Sequence, residues 1–496
     1  MASSWLFVCV LLVYFAEAEG LLDKVLFLHR HGARMGSGII NGTVRCSSPF
    51  CKLTPEGIDQ GFQLGVYLST QYKEALRIPD SYNVSFIRSV STCIPRAVRT
   101  AEAVIMGFFH NSTAVPTLPF VDYMPCDVDL EMSMWTSWPG FVMQNRYALV
   151  AAELNDYTRT TIGTANVQMF GQMFGLELLC SSAPTECVNY VNDAVSCNLS
   201  AGLPVPQLLL DQRLLLLQVN AHFFGLLIGY NPKVSDFDFN AGSLGFPFAQ
   251  AALQFLDTPG AQAANENTST LVRMRHFGAH DWTLTAVYAA LGIWTIESED
   301  DIVNVPQFGE TLVLEKRVEG GLAYLKAKIA VPGQLPSNHA NITEREAVLQ
   351  CIDAARLRYN SSTSSNGCLL EDVARFVETV GPVSTLGVCY ASADTLSQQG
   401  CDGNSAPAVQ SPCYFYRLRC PSAPCGSVQG AIADPARGFQ CESRQLDKGT
   451  PYLLATIVAL MAPSLLAGAI GGFYAMGMLR RVLWGKGSPL LSPAAK

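Results

Sequence analysis

The sequence is poor in charged residues, and its basic residues form no run. Lys, Arg, Asp and Glu make up 15% of the 496 residues, and the formal net charge is −8. Proteins that track a nucleic-acid backbone carry clustered Lys and Arg that neutralise its phosphates. The lack of such clusters excludes a nucleic-acid-binding surface from our predictions. The sequence also lacks an internal repeat of the length typical of solenoids, so that class is excluded too.

Apolar stretches near both ends of the sequence predict a membrane-anchored protein outside the cytosol. Residues 1–18 combine an apolar segment with an A-x-A step, which is typical of a secretory signal peptide, although a buried first helix is the alternative. Residues 453–479 contain no charge, are long enough to span a bilayer, and precede basic residues. We therefore predict a single-pass type I membrane protein of the cell surface, endosome or lysosome. Residues 480–496 are its predicted cytoplasmic tail.

Cysteines and glycosylation sequons agree with an oxidising compartment. The chain has 16 cysteines, and removal of Cys9 with the signal peptide leaves an odd number, so one thiol is free or bridged to another chain. Residues 386–450 are rich in Cys, Pro, Gly and Ser, which predicts a small disulfide-stapled stalk. Seven N-x-[ST] sequons are present, at Asn41, Asn83, Asn111, Asn198, Asn267, Asn341 and Asn360.

Three stretches each combine an apolar strand pattern, a polar loop and a helical pattern. They begin at residue 24 with "KVLFLHRHGARMG", at residue 82 with "YNVSFIRSV" and at residue 270 with "TLVRMRHFGAHDW". This alternation predicts an α/β domain over residues 19–385, with a central, mostly parallel sheet flanked by helices. Residues from about 120 to 260 have helical patterns and few strand signals, so we predict an inserted helical lobe there.

Charged side chains follow the first and third strands, where α/β proteins bind their ligands. Arg30, His31 and Arg34 lie at the end of the first strand, and His280 and Asp281 follow the third. Planar guanidinium groups match phosphate oxygens in pairs, and their charge stabilises the transition state of phosphoryl transfer. A neutral imidazole beside them can attack phosphorus and form a covalent intermediate. The cluster therefore predicts a phosphoryl-transfer site.

The motifs occur in the order found in the histidine acid phosphatases. The pentamer "RHGAR" at residues 30–34 resembles the R-H-G-x-R signature of that family, and "AHD" at residues 279–281 resembles its distal H-D pair. Residues 53–60 resemble the first helix of the family, and Arg88 resembles its third arginine. The resemblance extends from about residue 22 to about residue 385, and the separate anchor is similar to membrane-bound lysosomal and kinetoplastid members.

The resemblance implies an acid phosphatase that hydrolyses phosphate monoesters through a phosphohistidine, without a metal or other cofactor. It implies that His31 is the nucleophile and that Asp281 protonates the leaving alcohol. Because protonated Asp281 is most abundant at acid pH, the resemblance suits an endosome or lysosome. The phosphate would be bound by three arginines and a histidine, namely Arg30, Arg34, Arg88 and His280.

The substrate beyond the phosphate is a small molecule or a protein, and the sequence does not choose between them. Phosphosugars, nucleotides and phosphoproteins all fit, whereas inositol polyphosphates would need more Lys and Arg than residues 120–260 contain. Arg96 and Arg99, on the helix after Arg88, are interpreted as helix-surface or structural residues. A homodimer is left open.

Two other interpretations use the same residues. His29, His31, His276 and His280 could instead supply ligands to a metal-dependent hydrolase. The neighbouring arginines count against this interpretation because fixed positive charge repels a divalent cation. A phosphatase-like ectodomain that only binds phosphoesters is the third interpretation, and the presence of both predicted catalytic residues counts against it.

Overall fold

The computed structural model describes most of the predicted catalytic domain. The described residues are 20–36, 51–111, 121–123, 129, 132, 138–228, 243–261, 271–293, 305–364, 366–380, 413, 417, 431–434 and 440–443. The predicted signal peptide, membrane anchor and cytoplasmic tail lie outside them, as does most of the predicted stalk. Within the described ranges, no helix has the length and apolar character needed to cross a membrane.

The chain divides into two units, and the first, residues 1–420, contains a mixed eight-stranded sheet. The described strands of this unit are β1 (Leu21–Arg30), β2 (Ile87–Ser91), β3 (Val121–Tyr123), β4 (Met274–Ala279), β5 (Thr311–Glu319), β6 (Leu322–Val331), β7 (Thr343–Ala347), β8 (Gln350–Ile352), β9 (Arg358–Asn360) and β10 (Cys368–Leu369). The order in the sheet is β10–β6–β5–β1–β4–β2–β3, with β7 paired to β6, whereas β8 and β9 pair with each other.

The predicted α/β class is confirmed, and the parallel pairing is concentrated on one side of β1. Strands β1, β4, β2 and β3 are parallel, and they include all three predicted strand–loop–helix junctions. On the other side of β1, strands β5, β6, β7 and β10 pair antiparallel. The sequence analysis did not predict this antiparallel part of the sheet.

Burial explains why β1 lies in the middle of the sheet. Val25, Leu26, Phe27 and Leu28 are all fully buried, which is expected of a strand covered on both faces. Its register with β4 pairs Arg30 with Ala279. Because the two strands run parallel and end level with each other, the two predicted motifs lie side by side at one edge of the sheet.

Helices cover the sheet and form a separate layer beside it. They are α1 (Pro55–Tyr72), α2 (Pro95–Phe108), α3 (Trp138–Ile162), α4 (Thr164–Phe174), α5 (Glu177–Ser182), α6 (Pro184–Ser200), α7 (Gln207–Asp211), α8 (Arg213–Ile228), α9 (Phe246–Asp257), α10 (Asp281–Ala290) and α11 (Leu370–Val380). Helices α3 to α9 follow β3 and precede β4, in agreement with the predicted helical lobe. The residues of this lobe share an apolar core that includes Phe170, Val191 and Leu216.

Two disulfides and one free thiol are found among the described cysteines. Cys180 is bonded to Cys187 and Cys351 to Cys368. Cys197 is a buried free thiol on α6, in agreement with the prediction of an unpaired cysteine. One of the predicted sequons is unsuited to a glycan in the folded chain, because its Asn198 side chain is buried and donates to the carbonyl oxygen of residue 204 at 3.4 Å.

The second unit comprises residues 421–496. Its described residues form an antiparallel pair, β11 (Ala431–Asp434) and β12 (Gln440–Ser443). This pair lies within the predicted stalk.

Candidate active site

A cavity of about 830 Å³ opens at the carboxyl ends of β1 and β4. Five of the six predicted site residues line it, namely Arg30, His31, Arg34, His280 and Asp281. The sheet edge forms one wall of the cavity, which we call the sheet wall, and helices α6 and α8 of the lobe form the opposite wall, which we call the lobe wall. This is the position at which α/β folds bind ligands.

Arg88 is the predicted site residue that the structure does not place at the cavity. It is an exposed residue near the start of β2, level in the register with Arg275 of β4. The cavity lies at the opposite, carboxyl ends of these strands. The prediction placed Arg88 at a strand end because it follows an apolar run, but β2 begins at Ile87 and continues to Ser91.

Arg96 provides the third arginine of the cavity instead. It is the second residue of α2, and its Nη2 lies 3.5 Å from Nδ1 of His280. Burial, together with the charge of Arg34, lowers its pKa to about 10. The interpretation of Arg96 as a surface or structural residue was therefore wrong in its placement. Arg99, one turn along, is exposed and lies 3.8 Å from Glu102, as that interpretation expected.

The loop after β1 is fixed by the first turns of α1 and α2. The backbone N–H of Gly32 donates to Oγ1 of Thr100 at 3.0 Å, and that of Ala33 donates to Oε1 of Gln60 at 2.8 Å. A Cβ on Gly32 would lie 2.2 Å from the carbonyl oxygen of Gly57, so only glycine fits. The loop therefore presents His31 and Arg34 from a backbone with little freedom to move.

The ring of His31 is oriented for nucleophilic attack. Its Nδ1 lies 2.8 Å from the carbonyl oxygen of Gly32, which can only accept, so Nδ1 carries the proton. Burial lowers the pKa of His31 well below its usual value, and the charge of Arg96 adds to this effect. The imidazole is therefore neutral at mildly acid pH, and Nε2 keeps its lone pair.

His280 lies beside His31, with 5.2 Å between the ring centroids. Its Nε2 is 2.9 Å from Oγ1 of Thr92, and its Nδ1 faces Arg96, which can only donate. Burial lowers the pKa of His280 well below its usual value. Both ring nitrogens are engaged, so the predicted hydrogen bond from His280 to a phosphate oxygen requires a rearrangement and stays a prediction.

Arg30 is held on several sides and pairs with the predicted acid. Its Nη2 lies 2.8 Å from Oδ2 of Asp281, and its Nη1 donates to the carbonyl oxygen of Pro306 at 2.6 Å. The guanidinium also lies over the ring of Phe308, 4.3 Å from its centroid. The other carboxylate oxygen of Asp281 accepts from the backbone N–H of Trp282 at 2.9 Å. Asp281 is thus fixed at the start of α10, beside Arg30.

Arg34 pairs with a lobe residue that the sequence analysis did not single out. Its Nη2 lies 2.6 Å from Oδ1 of Asp193 on α6. Burial alone would lower the pKa of Arg34, but the charge of Asp193 outweighs this effect and raises it. The free thiol of Cys197 follows one turn later, 3.9 Å from the same carboxylate oxygen. This contact joins the sheet wall to the lobe wall.

The three arginines of the cavity retain capacity to bind an anion. The Nε atoms of Arg30, Arg34 and Arg96 are all buried and have no hydrogen-bond partner. A buried donor without a partner costs free energy, and an oxyanion offers acceptors for several donors at once. The sheet wall is therefore suited to a phosphate group.

The histidines form two pairs rather than one metal-binding group. His29 and His276 stack at 4.9 Å between ring centroids, and Ser89 lies 2.7 Å from Nδ1 of His276. His31 and His280 form the other pair. Among the residues that the structure describes, no three His, Cys, Asp or Glu side chains form a group that could hold a metal ion. This arrangement does not favour the alternative of a metal-dependent hydrolase.

The lobe wall differs in chemistry from the sheet wall. Helix α6 contributes Glu186, Asn189 and Asp193, and α8 contributes Arg213, Asn220 and Phe224. Asn220 donates to Asn189 at 3.0 Å, which joins the two helices beside the cavity. Phe224 packs against Trp282, with 4.6 Å between the ring centroids. The leaving group of a bound ester would face these side chains.

Comparisons with known proteins give matches to solved structures. No protein-family model and no curated protein matches the sequence. The phytase from Citrobacter braakii matches with a TM-score of 0.52 and 15% identity, over 72% of this chain and 98% of that chain. The Hafnia alvei phytase in complex with tartrate matches with a TM-score of 0.51 and 14% identity, over 76% of this chain and all of that chain.

These matches extend to nearly the whole length of the phytase chains. Another structure of the Hafnia alvei enzyme, in complex with myo-inositol hexakis sulphate, matches with a TM-score of 0.51 and 13% identity. The chain described here therefore has the fold of the phytases. The resemblance to histidine acid phosphatases that the motifs predicted is confirmed at the level of the fold.

Proposed function

We propose that this chain hydrolyses phosphate monoesters through a phosphohistidine formed on His31. The observation that carries the proposal is the state of the His31 ring. Its Nδ1 proton is fixed on the carbonyl oxygen of Gly32, and its lowered pKa keeps the imidazole neutral. Nε2 therefore has a lone pair inside a cavity lined by three arginines.

The arginines of the sheet wall bind the phosphate of the substrate. The unpartnered Nε–H groups of Arg30, Arg34 and Arg96 donate to its oxygens, and their charges stabilise the developing negative charge. Arg96 takes the part that the sequence analysis gave to Arg88. A phosphate that engages Arg30 also competes with Asp281 for that guanidinium.

The reaction then proceeds in two displacements. Nε2 of His31 attacks phosphorus, the N–P bond forms as the ester P–O bond breaks, and the leaving oxygen takes a proton from Asp281. In the second step Asp281, now a carboxylate, takes a proton from water as the water oxygen attacks phosphorus. The N–P bond breaks, and phosphate and neutral His31 are released. The sum is ester plus water to alcohol plus phosphate.

An acid pH preference follows from the pairing of Asp281 with Arg30. The resting carboxylate is an ion-pair partner at 2.8 Å and carries no proton to donate. Protonation at acid pH, or displacement of Asp281 from Arg30 by bound phosphate, provides the acid that the first step needs. The shared fold with the phytases supports the proposal, because their cavities are built on the same arrangement of strands.

The first test is hydrolysis of p-nitrophenyl phosphate by the full-length chain, between acid and neutral pH and in excess EDTA. We expect activity that is highest at acid pH and falls by about 10³-fold or more in His31→Ala. His110→Ala is the matched control, because His110 is exposed and does not line the cavity. Equal activity in both variants would contradict the nucleophile, and loss in EDTA that zinc reverses would favour the metal-dependent alternative.

A second test separates the acid from the nucleophile. In Asp281→Asn, we expect esters of poor leaving groups such as glycerol phosphate to lose about 10²–10⁴-fold in kcat, and p-nitrophenyl phosphate to lose much less. The reason is that p-nitrophenolate leaves without a proton. Equal losses for both esters would assign Asp281 a role in binding and not in proton transfer.

We further propose that the chain acts on the non-cytosolic side of a membrane, anchored by residues 453–479. The support is the uncharged stretch of those residues and the basic residues after it. Expression in a eukaryotic host should leave the chain in the membrane fraction, and deletion of residues 450–496 should release activity into the medium. A deleted form that stays in the membrane fraction would contradict this anchor.

A further inference from the structure

Arg213 is a buried cation of the lobe wall whose charge is not balanced. It is the first residue of α8 and lines the cavity. Its Nη1 is buried without a hydrogen-bond partner, and burial lowers its pKa with no carboxylate to offset the effect in the described part of the chain. A cation in the first turn of a helix is also disfavoured by the helix dipole. Each of these costs would be reduced by a bound anion.

The other charged residues of the lobe wall have partners of their own. Asp193 is paired with Arg34, and Glu186 accepts a hydrogen bond from Tyr147. Neither carboxylate is paired with Arg213. The lobe wall therefore presents one unbalanced positive charge to the cavity, in contrast to the three arginines of the sheet wall.

The spacing along α8 places Arg213 at a distance suited to the far end of a small substrate. Arg213, Leu217, Asn220 and Phe224 all line the cavity and share one face of the helix, at intervals of three to four residues. With a rise of about 1.5 Å per residue, Arg213 and Asn220 are about 10 Å apart along the helix axis. The cavity is therefore longer than a phosphate group alone.

A neutral polar group accompanies Arg213 on this wall. Asn192, on α6, is 7% exposed, and its buried Oδ1 has no hydrogen-bond partner. An amide oxygen accepts hydrogen bonds from hydroxyl or amine groups. A ligand that carries both an anionic group and a hydroxyl would satisfy Asn192 and Arg213 together.

We propose that Arg213 forms a second anion subsite, so that the preferred substrates are phosphate monoesters with one further anionic group on the leaving alcohol. That group is a carboxylate or a second phosphate, which share the charge and the planar or tetrahedral oxygens that a guanidinium binds. A single unbalanced arginine favours one such group over many. This proposal rests on the proposed phosphatase activity, because the first phosphate must occupy the sheet wall.

The test compares kcat/KM for matched esters with and without the second anion, using the full-length chain. In one arm 3-phosphoglycerate is compared with glycerol 3-phosphate. In the other, fructose 1,6-bisphosphate is compared with fructose 6-phosphate, with the rate divided by the number of scissile groups. We expect the ester with the second anion to be preferred about tenfold or more, mainly through KM, which corresponds to about 1.4 kcal/mol. A preference in one arm alone identifies that anion as the one bound.

Substitutions of Arg213 separate the subsite from general packing. In Arg213→Gln the preference should disappear, and in Arg213→Lys part of it should remain, because the charge is kept and the planar geometry is lost. Arg159→Gln is the matched control, an exposed arginine of the same lobe, and should leave the preference unchanged. The ratio of two esters for one variant does not depend on the amount of folded enzyme.

The possible failures are distinguishable. A wild-type preference near one, or a preference that Arg213→Gln leaves intact, would overturn the second anion subsite while phosphatase activity remains. If none of the esters is hydrolysed, the proposed function itself fails.

Discussion

The two walls of the cavity are built from different kinds of structure and present different chemistry. On the sheet wall, backbone contacts within about one loop fix His31 and its arginines, and positive charge prevails. On the lobe wall, helices α6 and α8 present amides, aromatic rings and carboxylates, with Arg213 as the cation that lacks a carboxylate partner among the described residues. The difference indicates that the sheet wall performs the chemistry and that the lobe wall selects the leaving group.

The comparison is sharpened most by exchanging the two candidate third arginines. Arg96→Gln should lower kcat/KM for p-nitrophenyl phosphate by about 10²–10³-fold, because a buried guanidinium aimed at transition-state charge is lost. Arg88→Gln should change it less than about twofold, since Arg88 is exposed outside the cavity. The two kcat/KM values, measured side by side, decide the point. The reverse pattern would restore Arg88 to the phosphate site.

The contact between the walls is broken by Asp193→Asn. Arg34 would then be buried without a counter-charge, which should destabilise the phosphate-free chain by about 1–3 kcal/mol. Inorganic phosphate should restore more stability to this variant than to the wild type, because it replaces the lost carboxylate. Thermal unfolding with and without phosphate measures both effects.

Asp156→Asn provides the control for that experiment. Asp156 is an exposed carboxylate of the lobe outside the cavity. Its substitution should alter neither the melting temperature nor the response to phosphate. Equal responses to phosphate in the Asp193 and Asp156 variants would show that Asp193 does not hold Arg34 in solution.

The smallest effect concerns stability at acid pH and the histidines buried beneath the sheet wall. Burial lowers the pKa of His29 to about 4 and that of His276 well below its usual value. The unfolded chain therefore binds more protons than the folded chain below about pH 6.5, and stability falls as the pH is lowered from there toward 4. Each such histidine contributes at most about 1.4 kcal/mol per pH unit.

His276→Gln tests this dependence. Denaturant unfolding at pH 7 and pH 5 should show a smaller loss of stability on acidification in the variant than in the wild type. His110→Gln, which changes an exposed histidine, should retain the wild-type loss. A loss of the same size in all three chains would place the pH dependence elsewhere in the molecule.

The part of the site that could be predicted from the sequence is the part set by strand register. The motifs at residues 30–34 and 279–281 each follow a strongly apolar run, and parallel strands that end level bring their ends together. The error over the third arginine shows the limit of that reasoning. The apolar run before Arg88 marks the start of β2, and the strand end and helix start that position Arg96 had no equally clear pattern.

The lobe wall could not be predicted in the same way. Asp193 and Arg213 lie on amphipathic helices, where many polar residues have the same local pattern. Which of them faces the cavity depends on how α6 and α8 pack against the sheet, and helix periodicity does not determine that packing. The helical character of the lobe was predictable, whereas its contribution to the site was not.

The free thiol of Cys197 offers a clock for the separation of the two walls. Burial raises its pKa to about 12, and the charge of Asp193 adds to this effect, so the thiol is unreactive while the lobe is seated. A colourless disulfide reagent would therefore label it at the rate at which the lobe opens. Because the thiol lies on the same helix as Asp193, one turn away, a ligand that bridges the walls should slow the colour change. Substrate occupancy could then be followed optically, without any turnover.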